Sequence, residues 1–80
     1  MTMSYIIHII GMLDKAGAER NPHNKMLLDQ SVREVLGMQR ADWQEVWAKV
    51  KALMQNPDRE KWKTFEAQVT KILSKKLVTE

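Results

Sequence analysis

Two histidines, ten carboxylates and three tryptophans are the chemically distinctive side chains of this 80-residue sequence. Histidine is the side chain whose ordinary pKa lies nearest neutrality, so His8 and His23 are the first places to look for proton transfer or metal binding. A metal site on a helix needs ligands one turn apart, as in His-x-x-x-His or Glu-x-x-His, and neither spacing occurs; there is also no cysteine. The wheel puts His8 on the polar side of a first helix, beside Met12 and Lys15. His23 follows Pro22 at a helix start, so both read as surface or capping residues. General acid–base work needs a carboxylate whose pKa is raised by apolar surroundings. The acidic residues here instead fall at helix caps and at ion-pair spacings such as Asp29 and Arg33. Three scattered glycines make no phosphate-cradling loop. The chemistry that remains is recognition: the sequence predicts no enzyme, no cofactor and no metal.

The chain carries 13 Lys and Arg against 10 Asp and Glu, a formal charge of +3. A basic chain invites a nucleic-acid reading, which depends on how the charges are arranged. Residues 28–54 can be threaded onto a helix-turn-helix, with Gly37 in the turn and Val32, Leu36, Met38, Trp43 and Val46 as the wedging apolar positions. In that alternative Gln39, Arg40 and Gln44 would face bases, and Lys49 and Lys51 would lie near phosphates. Against it, Arg33 stands where close packing wants a small side chain, and the reading helix would open with the carboxylates of Asp42 and Glu45. In the last segment Arg59, Lys61, Lys63, Lys71, Lys75 and Lys76 are spread around the wheel with Glu60 and Glu66 between them, the look of a solvated face. A weak phosphate contact by Lys71, Lys75 and Lys76 is the minor alternative there.

Apolar residues that the core stripes leave over give the leading expectation. Ile7 points about 130° away from the first segment's stripe, and Met26 and Leu27 fall off the second segment's stripe. They either close the core from a second side or form an exposed patch for a partner protein or a second copy of the chain. Trp43, Trp47 and Trp62 lie on stripes and are expected at the edge of the core. One of them exposed would be an interface anchor. Ile7, Met26 and Leu27 are therefore the interface candidates of a small, non-enzymatic protein-interaction module, a regulator, inhibitor or adaptor acting as a homodimer or on another protein. The helix-turn-helix DNA-binding protein is the alternative.

These side chains must be positioned by short elements. Asn21-Pro22 and Asn56-Pro57 each set an N-capping residue before a proline suited to the first helical position, while Gly17 and Gly37 follow helical patterns as C-terminal caps do. The chain divides into helices at about 4–17, 22–36, 42–55 and 57–77: an all-α, small antiparallel bundle forming one domain over 1–80. Asp42 with Glu45 resembles a capping box for the third helix. The weakest assignment is 5–10, whose isoleucines also suit a strand; Gly17 and the lack of a pairing partner favour helix. The longest apolar run, Tyr5 to Leu13 broken by His8, is far short of the about 20 residues a bilayer requires. It has no basic residue before it and no small-residue cleavage site after it, so the expected location is the cytoplasm.

Overall fold

A computed structural model describes residues 4–79. The order is a 3₁₀ helix at Ser4–His8, then α1 Gly11–Lys15, α2 Pro22–Leu36, α3 Trp43–Gln55 and α4 Arg59–Thr79, with no strand among the described residues. The fold is all-α, a small helical bundle. None of these helices is long and apolar enough to cross a membrane.

The expected boundaries hold for the middle helices and are corrected at both ends. Asn21 caps α2, its side-chain oxygen accepting from the Asn24 N–H at 2.8 Å, with Pro22 at the first helical position. Gly37 ends α2 at φ 68°, where its N–H and that of Met38 return to the carbonyls of Glu34 and Arg33. Asp42 precedes α3 in extended conformation, but its side chain makes no capping bond, so the anticipated capping box does not form. α4 begins at Arg59 instead of Pro57. The Asn56 oxygen takes the Asp58 N–H at 2.8 Å in an Asx turn, and Asp58 in turn takes the Glu60 N–H at 3.1 Å, moving the cap two residues on.

The first segment is helical, yet it is not the single α-helix expected over 4–17. Carbonyls of Ile6, Ile9 and Ile10 accept from residues three places on, each at 3.0 Å. β-Branched residues crowd the preceding turn of an α-helix, and a three-residue turn aligns i with i+3. Ile6, Ile9 and Met12 thereby share one buried row. This corrects the placement of Met12, expected on the polar side beside His8 and found 2% exposed, while Ile10 emerges to half-burial.

The central element is α2. It packs on α4, on α1 and on the 3₁₀ segment, and α3 and α1 also pack on α4. Leu27, Ser31, Leu28 and Val32 are all buried and together span about 140° of the α2 wheel. Ser31 fits there because its hydroxyl donates to the Leu27 carbonyl at 2.8 Å. Tyr5, Ile6, Ile9, Met12, Leu13, Val46, Val50, Phe65, Val69 and Leu73 complete the core. Partly exposed ion pairs link the outer turns: Lys15 to Glu66 at 2.9 Å and Lys76 to Glu34 at 2.6 Å. Arg20 to Asp14, at 2.6 Å, holds the Asp14 carboxyl below its ordinary pKa.

A polar cluster lies under the N-terminal segment. The Tyr5 hydroxyl donates to Asp29, whose carboxylate also takes Arg33 Nε at 3.0 Å. Arg33 Nη1 then reaches the Ala41 carbonyl at 2.5 Å, with longer contacts to the carbonyls of Met38 and Gln39. The Asp29–Arg33 pair thus ties the N-terminal segment, α2 and the turn before α3 together.

Tyr5 is the chain's one tyrosine and is 1% exposed. Burial pushes its phenol well above the ordinary value near 10, and the Asp29 carboxylate it bonds raises it further, against a smaller opposing pull from Arg33. The unfolded chain releases this proton near pH 10 and the folded chain does not. The associated stability is therefore complete below about pH 10 and is lost as pH rises beyond it. In an alkaline titration, phenolate absorbance is expected to appear only together with loss of helical circular dichroism, and Tyr5→Phe is expected to flatten the stability profile above about pH 10. A phenolate forming at the ordinary pH with helices intact would contradict this placement.

Candidate functional site

The 3₁₀ segment sets its side chains by a period of three, so Tyr5 and His8 fall on one row, and both rings meet Trp47. The Trp47 and His8 rings stack with centroids 4.8 Å apart and planes 13° from parallel; Tyr5 lies on Trp47 at 6.4 Å and 26°. Tyr5 is buried, Trp47 half-buried, and His8 exposed although stacked. Trp43 lies one turn before Trp47 on the same stripe of α3 and is 37% exposed. Ile7, between the two stacking residues, is 66% exposed. The Tyr5–Trp47 and His8–Trp47 contacts make a short aromatic cluster between the 3₁₀ segment and α3, and Ile7 stands on a different row of that segment, about 120° from Tyr5 and His8.

The three interface candidates separate here. Ile7, for which the wheel left both core and solvent open, stands out in solvent, and Met26 is 40% exposed, one turn before the Asp29 that Tyr5 engages. Leu27 is a correction: it is 2% exposed and belongs to the core. Its position off the expected stripe is real, but α2 is covered on two sides, so a residue at that angle is buried. Trp62 and Trp47 keep the core-edge role expected of them, Trp62 packing on Phe65 with centroids 5.5 Å apart. Trp43 is the one tryptophan of the three found exposed, the condition set for an interface anchor, whereas His8 was expected only as a surface residue. The available signal was the Tyr5/His8 spacing of three, read as part of a 3.6-residue period.

The residues of the nucleic-acid alternative are all exposed but do not form one surface. Gln39 and Arg40 lie in the turn, Gln44 and Lys51 share one side of α3, and Lys49 is about 160° around from Lys51. The turn over 37–42 is longer than the three or four residues of a helix-turn-helix, and the main support of α3 is α4. Arg33, awkward in that motif, is the residue that fixes this turn.

Among the described residues no three of His, Asp and Glu gather closely enough to hold a metal ion. A groove runs along α4, with adjoining compartments of about 460 and 370 Å³ that share Val35 and Gln68. Comparison with known proteins returns no matching family model, no matching curated protein and no matching solved structure.

Proposed function

We propose that this chain is a non-catalytic protein-interaction module that engages a partner protein, or a second copy of itself, through the face built by Ile7, His8, Trp47 and Trp43. The observation that supports this most is the His8–Trp47 stack, whose two elements also leave exposed an isoleucine next to His8 in the chain and, one turn before Trp47, a 37% exposed tryptophan. Tryptophan is enriched among interface anchors because it covers much area at little entropic cost, and Ile7, 66% exposed, is apolar surface that a partner could cover. The flanks of α3, Gln44 and Lys51, supply a polar rim.

Trp43→Ala and Ile7→Asp are expected to leave the helical content and urea midpoint nearly unchanged while weakening partner capture from the native cell, or dimerisation seen by sedimentation, by on the order of tenfold or more each. Retention of wild-type capture and self-association by both variants would exclude this face. A random duplex DNA bound at low salt, with affinity lost in Lys49 and Lys51 variants and kept in Trp43→Ala, would favour the nucleic-acid alternative instead.

A further inference from the structure

A second surface, sharing no residue with the first, lies along α4. Its floor is Val35 and Leu36 from the end of α2, Leu53 from the end of α3, and Phe65 and Ile72 from α4. Phe65 is buried, and the other four are only half-buried, so the groove presents apolar surface. Its α4 wall carries Lys61, Lys71 and Lys75. On the wheel these three fall within about 80°, so lysines that look dispersed along the sequence are collected on one bank. The acidic residue on the lining, Glu60, leans to Lys63 at 3.8 Å. Lys76 points elsewhere, to Glu34.

We infer that this groove takes an amphipathic helix of a partner protein whose apolar stripe is flanked by acidic residues. From Lys61 to Lys75 the wall runs about 21 Å, the length of a helix of about 15 residues, and the two adjoining compartments lie in line to receive side chains a turn or two apart. Charge selects the class of occupant. The bank is cationic, and the chain itself has a net charge of +3 with its acidic residues scattered, so a second copy offers no complementary segment. An apolar floor also distinguishes the groove from a phosphate-tracking surface, which needs no Val, Leu or Ile beneath its lysines.

The test is a nitrogen-15 NMR titration of the full chain with a synthetic amphipathic helix of about 15 residues, leucines on one stripe and glutamates beside it, against the same peptide with lysines for glutamates. The acidic peptide is expected to bind with shifts confined to Val35, Leu53, Gln68 and Ile72 and their neighbours, and the basic one not to bind. Gln68→Trp fills the shared middle of the groove from an exposed position, without touching the core, and is expected to lower affinity at least about tenfold. Lys61→Glu with Lys71→Glu is expected to lose the acidic peptide and gain the basic one. The inference is overturned if neither peptide binds, if both bind alike, if shifts map to Ile7 and Trp43, or if Gln68→Trp binds as the wild type does. Self-association abolished by Gln68→Trp would overturn it in favour of a second copy. Displacement of the peptide by duplex DNA, with shifts at the same lysines, would overturn it in favour of nucleic acid. Because Trp43→Ala leaves this groove intact, failure of one face does not carry over to the other.

Discussion

Leu27→Ala is expected to destabilise the chain by about 3 kcal/mol, and the neighbouring Met26→Ala by less than about 1 kcal/mol, in urea unfolding followed by helical circular dichroism. Leu27 is 2% exposed between α2 and the elements that cover it, whereas Met26 is 40% exposed. Truncating a buried leucine loses its transfer free energy and leaves a cavity that the close-packed surroundings fill only in part. The consequence is large because the total is small. At roughly 0.05–0.15 kcal/mol per residue, a domain of this size holds about 4–12 kcal/mol, and a loss of 3 lowers the midpoint of thermal unfolding by on the order of 15 °C. Equal effects at the two positions would mean that α2 is not covered on two sides, and the placement of the N-terminal segment against it would be wrong.

How much of this was legible in the sequence follows from where the helical period is 3.6. In α2 caps and stripe agree, in α3 and in α4 beyond its first turn the stripes hold although the Asp42 capping box does not form, and Val32, Val46, Val50, Val69 and Leu73 are buried where the spacing puts them. The first segment departs because it opens as a 3₁₀ helix. A period of three brings Met12 inward and sets Tyr5 and His8 together on Trp47, none of which a 3.6-residue wheel can show. Leu27 illustrates a different limit: a wheel reports an angle, and whether that angle is solvent or core depends on how many neighbours a helix has. The groove was illegible for the same reason. Val35, Leu36 and Ile72 read as core by spacing and are half-exposed because α3, leaning on α4, leaves the end of α2 uncovered.

The Asp29–Arg33 pair was legible as an i, i+4 spacing, but its weight was not. An exposed pair of that kind contributes a few tenths of a kcal/mol. Here the two side chains are only 13% and 17% exposed, Asp29 also accepts from the buried Tyr5, and Arg33 reaches the Ala41 carbonyl. Arg33→Ala therefore leaves a largely buried carboxylate without its cation and frees the turn before α3. A cost of about 2–4 kcal/mol is expected, somewhat under the range for fully buried pairs because some solvent remains. Arg33→Lys is expected to recover little of it, since an ammonium cannot serve the carboxylate and the turn carbonyls at once as the planar guanidinium does. Asp29→Asn combined with Arg33→Met is expected to cost clearly less than the sum of the single changes, because each single change strands a partner that the double change removes. Additive costs, or an Arg33→Ala loss below about 0.5 kcal/mol, would reduce the cluster to an ordinary surface pair. The same substitution reaches the proposed interaction face. Ala41 lies two residues before Trp43, so freeing its carbonyl loosens the start of α3 on which that anchor stands. Weaker partner binding by the folded fraction of Arg33→Ala, with no contact to the partner lost directly, is the expected result, and it would separate positioning of Trp43 from its mere presence.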